Sequence, residues 1–203
     1  MLTGQIGRGG RWVHAKLVDV IAASGIHPNL LTLLGLMVNI WAAVLFAAGE
    51  FRTAGTIILL AAIFDLTDGP VARKQGRASA FGAFFDSLID RYSDMVLYMG
   101  LLVYYARMSR FFYVVLVAIA MAGSFMVSYA RARAESLIPT CKVGFMERPE
   151  RIVLLIIASW FNRMEPVLWV IAALTTLTVI HRIAYTWQEI RAGRTVASPT
   201  PPL

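Results

Sequence analysis

The chain has 203 residues, of which 58% are hydrophobic and 15% are charged, and its mean hydropathy is +0.66. Ordinary globular domains are about half apolar and about a quarter charged, so a soluble domain of this length has no core large enough for these side chains. The net charge of +7 would suggest nucleic acid in a soluble protein, but the basic residues recur in alternate connections between apolar stretches. We therefore expect a membrane-embedded protein and no nucleic-acid partner.

Six apolar stretches predict six transmembrane helices, because a spanning helix uses about 20 residues. They cover Leu30–Ala48, Thr53–Ala72, Ala80–Tyr105, Phe111–Ala132, Ile152–Phe161 and Pro166–Trp187. The fifth stretch is too short to span unaided, and we expect its helix to extend back toward Phe145. The predicted fold class is an all-α integral membrane protein with a six-helix bundle over residues 28–193.

An amphipathic helix is predicted ahead of the bundle. Its apolar residues recur at helical spacing with basic residues between them, and are Trp12, Val13, Leu17, Val20 and Ile21. Such a helix lies in the membrane interface, and His27-Pro28 favours a break before the first span. We expect this interfacial helix within residues 1–27, a single membrane domain over residues 1–193, and a disordered proline-containing tail over residues 194–203.

The distribution of Lys and Arg predicts the orientation, because basic residues collect in cytoplasmic connections. One side of the predicted bundle carries Arg8, Arg11, Lys16, Arg73, Lys74, Arg77, Arg131, Arg133, Lys142, Arg148, Arg151, Arg191 and Arg194. The other side carries Arg52, Arg107, Arg110 and Arg163. We therefore expect a multi-pass protein of the cell (inner or plasma) membrane with both termini in the cytoplasm.

Four aspartates stand out at the junction of the second and third spans. Asp65 and Asp68 are three residues apart, Asp86 and Asp90 are four apart, and each pair lies on one face of its helix. The two helices are joined by a short basic turn, so their carboxylates can converge at the cytoplasmic end. Clustered carboxylates repel unless cations neutralise them, and oxygen ligands favour Mg²⁺ or Mn²⁺. A pair of ions would suit phosphoryl transfer.

Small residues and one arginine accompany these aspartates. Gly69 and Gly82 allow close backbone approach of a bulky ligand, and Arg73 could bind a phosphate through two hydrogen bonds. Asn29, after Pro28, could cap the first span or help to hold a diphosphate. The combination indicates a substrate that contains a diphosphate.

The segment from Asp65 to Asp90 reads D-x2-D-G-x2-A-R-x8-G-x3-D-x3-D and resembles the signature of the CDP-alcohol phosphotransferase family. The resemblance implies metal binding by Asp65, Asp68 and Asp86, with Asp90 sharing in ligation and acting as the general base. It also implies that Gly69, Ala72, Arg73 and Gly82 hold the CDP group. The implied reaction moves a phosphatidyl group from CDP-diacylglycerol to an alcohol and releases CMP.

Five arginines point to the acceptor alcohol: Arg131, Arg133, Arg148, Arg151 and Arg182. All are expected on the side that bears the aspartates, where they would suit an acceptor that already carries a phosphate. The surrounding S-Y-x-R-A-R-A-E and E-R-P-E-R segments resemble those of phosphatidylinositol-phosphate and archaetidylinositol-phosphate synthases. That resemblance implies inositol 1-phosphate, with Arg131, Arg151 and Arg182 on its phosphate. Pairing with acidic neighbours is the structural alternative for each arginine.

Other functions fit the sequence less well. Synthases that use glycerol 3-phosphate typically carry D-P-x-A-D-K, from which Asp86-Ser-Leu-Ile-Asp90-Arg91 departs. Serine or free inositol as acceptor would leave the arginines unexplained. A small cation transporter would predict broken helices in paired halves, and the sequence has no such symmetry. The family resemblance also implies a homodimer.

Overall fold

The computed structural model describes residues 15–196, which form helices and connections without any strand. The helices within this range are α1 (residues 15–23), α2 (Pro28–Ala48), α3 (Phe51–Lys74), α4 (Ala80–Arg107), α5 (Phe111–Glu135), α6 (Arg148–Trp160) and α7 (Met164–Arg191). The all-helical prediction is therefore confirmed. Trp12, Val13 and most of the predicted tail lie outside the described residues.

The chain forms two compact units that meet in sequence at Gly100 and Leu101. The first unit contains α1, α2, α3 and the first part of α4, and the second contains the rest of α4 with α5, α6 and α7. The single membrane domain over residues 1–193 stays a prediction.

Four helices are long and apolar enough to cross a membrane: α2, α3, α5 and α7. The chain is therefore a multi-pass membrane protein. Helix α4 has the length but carries Asp86, Asp90, Arg91 and Asp94 within its first fifteen residues. Helix α6 has 13 residues, about 20 Å at 1.5 Å per residue, and a hydrocarbon core is about 30 Å thick. Six spans remain a prediction.

Helix α1 packs on the first unit through one face. Val18 is 7% exposed and clusters with Leu31 and Val71, and Ile21 packs against the same cluster, whereas Val20 is 63% exposed. The position of this helix in the membrane interface stays a prediction. An ion pair between Asp19 and Lys74 joins α1 to the end of α3.

A tight turn joins α2 to α3, and these helices pack against each other. Gly49 has φ 87°, a left-handed conformation that glycine adopts without steric cost. The Gly49 amide donates to the Phe46 carbonyl at 3.0 Å, and the Glu50 amide donates to the Leu45 carbonyl at 2.9 Å. This pair of bonds is the Schellman arrangement that ends a helix, and α3 begins two residues later at Phe51.

In the second unit α5 and α7 run parallel to each other. An ion pair joins Arg110 to Glu165 where both helices begin, and Arg182 donates to the Val127 carbonyl near their far ends. Gly123 allows close packing midway, since a Cβ there would overlap the Thr175 side chain.

The connection over residues 136–147 and helix α6 return the chain between these parallel helices. Helix α6 begins at Arg148, with Pro149 in its first turn, a position that suits proline because the helix needs no amide donor there. The expectation that this helix reaches back from Ile152 toward Phe145 is confirmed as far as Arg148. Phe145 and Met146 lie before the helix, and their amides donate to the Thr178 hydroxyl at 3.4 and 3.2 Å.

Gly100→Ala should destabilise the first unit, because a Cβ at this position would overlap the Ala43 carbonyl oxygen and lie 2.9 Å from the carbonyl carbon. Backbone atoms cannot move aside cheaply, so we expect a loss of about 1–3 kcal/mol in the free energy of unfolding. Thermal unfolding in detergent measures the change. The control is Met99→Ala at the neighbouring position, which is 55% exposed, and equal unfolding temperatures for both variants would contradict the prediction.

Candidate functional site

A polar cavity of about 240 Å³ opens in the first unit among α2, α3 and the start of α4. Five of its lining residues are those expected to hold the CDP-lipid: Asn29, Gly69, Ala72, Arg73 and Gly82. Two of the four predicted metal ligands, Asp68 and Asp86, also line it. The volume lies just below the range of about 300–1,000 Å³ for small-molecule pockets, so this cavity would enclose part of a nucleotide-sized ligand.

Asp68 is the most deeply held carboxylate of the cavity, with 6% of the residue exposed. Its Oδ2 accepts a hydrogen bond from the Thr32 hydroxyl at 3.0 Å, and its Oδ1 accepts one from the Gly69 amide at 2.6 Å. Thr32 itself is 4% exposed. Because both carboxylate oxygens are held by donors on different helices, the position of Asp68 is fixed by the packing of α2 on α3.

Asp65 lies one helical turn before Asp68 and contacts α2 at Gly35. A Cβ on Gly35 would lie 2.8 Å from Oδ1 of Asp65, so the absence of a side chain at Gly35 makes room for this carboxylate. Asp65 is not among the residues that line the cavity. To bind a metal ion together with Asp68, the Asp65 carboxylate must therefore turn from its place beside Gly35 toward Asp68.

The aspartates of α4 differ in burial along the helix. Asp86 faces the cavity, Asp90 is half-buried one turn further along, and Asp94 is 7% exposed. Asp94 is therefore the most buried of the three. The cavity lining includes Asp86 but not Asp90 or Asp94.

The chemistry of this donor set suits a hard divalent cation. Within residues 15–196, no three His, Cys, Asp or Glu side chains are arranged as a ready-made metal centre. However, Asp68 is buried against two neutral donors, and a second carboxylate, Asp86, shares its cavity. Two carboxylates in one small cavity are costly without positive charge, and oxygen donors are those that Mg²⁺ and Mn²⁺ prefer. The residues therefore fit such an ion.

The start of α4 contributes Ser79 and Gly82 to the lining of the same cavity. Ser79 precedes the helix, and its hydroxyl accepts from the Gly82 amide at 3.0 Å, as an N-cap does. A Cβ on Gly82 would lie 3.6 Å from Oδ1 of Asn29. The α2 N-cap is His27, whose Nδ1 accepts from the Asn29 amide at 3.2 Å. The capping alternative for Asn29 was thus wrong, and its side chain is available to the cavity.

The second unit brings three of the five predicted arginines to one connection, residues 141–147. Arg182 is 1% exposed, and its Nε donates to the Val143 carbonyl at 2.8 Å. Arg151 is also 1% exposed and donates to the Met146 carbonyl at 3.2 Å. Arg131 contributes through Glu147, whose Oε1 accepts from Arg131 at 3.0 Å and from Arg182 at 2.9 Å.

The other two predicted arginines are more accessible. Arg133 is exposed and donates to the Ser136 hydroxyl at 3.2 Å, and Arg148 is half-buried in the first turn of α6. Arg131 also donates from Nε to Glu135 at 3.1 Å. The pairing of arginines with acidic neighbours, considered as the structural alternative, is therefore present for Arg131 and Arg182.

Sequence reasoning did not identify Thr32, Gly35 or Ser79 as site residues. Thr32 and Gly35 interrupt a run of leucines. A hydroxyl residue and a glycine within an apolar helix were the available signals. Ser79 directly precedes the α4 start and could have been found as a helix cap.

The fold and cavity define a helical membrane protein in which carboxylates and an arginine line a cavity of about 240 Å³. The family model of CDP-alcohol phosphatidyltransferase matches residues 25–188, and this chain belongs to that family of transferases. It is 35% identical over 190 residues to archaetidylinositol phosphate synthase of Methanothermobacter thermautotrophicus, covering 89% of this chain and 94% of the relative. It is 34% identical over 180 residues to phosphatidylinositol phosphate synthase of Streptomyces avermitilis, covering 81% and 74%.

Solved structures agree with the fold. The crystal structure of Mycobacterium tuberculosis phosphatidylinositol phosphate synthase with CDP-DAG bound superimposes with a TM-score of 0.80 at 25% identity, covering 94% of this chain and 98% of that one. A crystal structure of the same synthase in complex with manganese and citrate gives 0.77 at 25% identity, covering 94% and 93%.

Thr32→Val should lower transferase activity without unfolding the protein. The substitution keeps the shape of the side chain but removes the hydroxyl that donates to Asp68. A hydrogen bond to a charged group contributes about 1.5–3 kcal/mol, so we expect a fall in turnover of about tenfold or more. The control is Thr176→Val, because Thr176 is exposed and its hydroxyl bonds the Ala172 carbonyl. Equal turnover by the two variants would contradict the prediction.

Proposed function

We propose that this chain transfers the phosphatidyl group of CDP-diacylglycerol to inositol 1-phosphate and releases CMP, as a step of phospholipid synthesis. One observation carries the proposal: a single cavity is lined by Asp68 and Asp86 together with all five residues expected to hold the CDP-lipid. The relatives, which are synthases of inositol phosphate lipids, support the acceptor, and the CDP-DAG bound to the structural neighbour supports the donor.

In the proposed mechanism, Asn29, Gly69, Ala72, Arg73 and Gly82 hold the CDP group. The small side chains admit the nucleotide, and Arg73 binds the diphosphate, which keeps the β-phosphorus in a fixed position for attack. Asp90 accepts the proton of the acceptor hydroxyl while the hydroxyl oxygen forms a bond to that phosphorus. The bond between phosphorus and the CMP oxygen breaks, and CMP leaves.

Asp65, Asp68, Asp86 and Asp90 would hold one or two divalent ions, and the manganese in a structural neighbour supports this proposal. Bound Mg²⁺ or Mn²⁺ would supply positive charge to the diphosphate oxygens and the leaving group. The Thr32 hydroxyl and the Gly69 amide keep the Asp68 carboxylate in place, and the missing side chain at Gly35 leaves space for Asp65.

The acceptor phosphate is proposed to bind the arginines of the second unit, Arg131, Arg151, Arg182, Arg133 and Arg148. Guanidinium groups bind phosphate through paired hydrogen bonds. Arg131 and Arg182 already share one carboxylate oxygen as a common anionic partner, which supports a role for this pair in anion binding.

The proposed setting is the cell membrane, with six spans, an interfacial helix before α2, the site facing the cytoplasm and a homodimeric assembly. Cys141 is buried and is the sole cysteine of the chain, so introduced cysteines can report the orientation. Met108→Cys, between α4 and α5, should react with an impermeant maleimide in intact cells. Lys142→Cys should react only after permeabilisation, and the reverse pattern would contradict the orientation.

The purified protein should release CMP from CDP-diacylglycerol only with a divalent ion and the correct alcohol. Chelation should abolish release, and Mg²⁺ or Mn²⁺ should restore it, because the clustered carboxylates need a cation to bind the diphosphate. Full activity in excess chelator would refute the metal assignment.

Asp90→Asn should lower turnover by about a hundredfold or more, because an amide cannot accept the hydroxyl proton. CMP release under saturating substrates measures it, and unchanged thermal unfolding in detergent checks the fold. A variant that keeps the wild-type rate would show that Asp90 is not the base.

A parallel acceptor assay distinguishes the candidate alcohols. Inositol 1-phosphate, glycerol 3-phosphate, inositol and serine are each supplied with CDP-diacylglycerol, and the lipid product is identified by mass. We expect product with inositol 1-phosphate. Product with glycerol 3-phosphate alone would make the chain a phosphatidylglycerophosphate synthase instead.

A further inference from the structure

Glu147 stands between two arginines that come from different helices. Its Oε1 accepts from Nη1 of Arg131 on α5 at 3.0 Å and from Nη2 of Arg182 on α7 at 2.9 Å. Arg182 is 1% exposed, whereas the Glu147 side chain is 41% exposed. The accessible Glu147 carboxylate therefore covers Nη2 of the buried Arg182 guanidinium.

The remaining bonds of Arg182 determine where another anion could reach it. Nε donates to the Val143 carbonyl and Nη1 to the Val127 carbonyl, at 2.8 and 2.5 Å. These bonds tie Arg182 to the main chain of α5 and of the connection before α6. Nη2 is the nitrogen directed to Glu147, so an incoming anion meets this guanidinium at the place that the carboxylate occupies.

We propose that the Glu147 carboxylate stands in for the acceptor phosphate between Arg131 and Arg182, and that the phosphate displaces it on binding. This inference rests on the proposed function. Glu147 then determines specificity, because a neutral alcohol offers nothing that replaces a carboxylate held by two charge-assisted bonds. A phosphate monoester carries about −1.5 to −2 charges and three acceptor oxygens at neutral pH, so it can replace the carboxylate.

Simultaneous binding of both anions is unfavourable. A phosphate oxygen within hydrogen-bond distance of both guanidinium nitrogens would lie beside Glu147 Oε1, and like charges at that distance repel. Glu147 belongs to the connection immediately before α6, and its side chain is 41% exposed, so the protein leaves it room to turn away. The connection itself stays attached through Val143, Phe145 and Met146.

Glu147→Gln tests the inference in the full-length enzyme. The amide keeps the size of the side chain but removes its charge, so phosphate no longer competes with a carboxylate. We expect the KM for inositol 1-phosphate to fall by about threefold or more, in line with a partly exposed ion pair. The turnover number and the KM for CDP-diacylglycerol should stay the same. The matched control is Glu150→Gln, which removes the same charge from an exposed position three residues away.

A second measurement needs no turnover. Inorganic phosphate should raise the thermal unfolding temperature of Glu147→Gln more than that of the wild type or of Glu150→Gln. If Glu147→Gln does not fold, Glu147→Ala is measured in the same two assays with the same expected directions.

The possible failures are distinct. A KM that is unchanged or higher in a folded Glu147 variant, with no added phosphate stabilisation, would overturn the stand-in and leave the proposed function intact. If the wild type makes no lipid from inositol 1-phosphate, the proposed function fails. In that case the thermal unfolding assay still tests the role of Glu147. A larger stabilisation of Glu147→Gln than of the wild type by inorganic phosphate would support displacement of the carboxylate by phosphate, and an equal stabilisation would overturn it.

Discussion

An ionised side chain persists inside a helical membrane bundle only when neighbouring groups replace the water that it has lost. Both units of this chain are organised around that constraint. In the first, Thr32 and the Gly69 amide hold the Asp68 carboxylate. In the second, two main-chain carbonyls and Glu147 hold the Arg182 guanidinium. These partners come from different segments of each unit, namely α2 and α3 in the first and α5 and the connection before α6 in the second, so the compensation of buried charge also fixes how these segments pack.

The arginines of the second unit serve the fold and, by our proposal, the ligand. Arg182 and Arg151 hold carbonyl groups of a connection that is not helical, and carbonyl groups outside regular secondary structure need such partners when they are buried. Loss of activity on truncating either arginine would therefore mix a structural effect with a binding effect. A substitution at Glu147 separates anion binding from folding better, because it removes the charge of Glu147 and leaves the main-chain bonds of Arg182 and Arg151 in place.

Much of this arrangement could be predicted from the sequence, and the reasons for the misses are physical. The aspartate pairs and the small residues follow a fixed spacing, so the cavity residues Asp68, Gly69, Arg73 and Gly82 were identified before the fold. Tertiary partners have no such periodicity. Thr32 reaches Asp68 across 36 positions of sequence, and Gly35 matters only because α3 presents Asp65 to it. The apolar stretch of the fifth span began at Ile152, whereas α6 begins at Arg148, because charged residues in the first turn of a helix interrupt the apolar pattern from which the span was predicted.

The hairpin formed by α2 and α3 has a consequence for how the protein is made. Only Gly49 and Glu50 separate the two helices, and the left-handed Gly49 reverses the chain within that length. A linker of this length holds the end of α2 next to the start of α3, so the two helices can pair as soon as both have been synthesised. The residues that hold Asp68 would then come together within one hairpin, because Thr32 and Gly69 lie on its two helices.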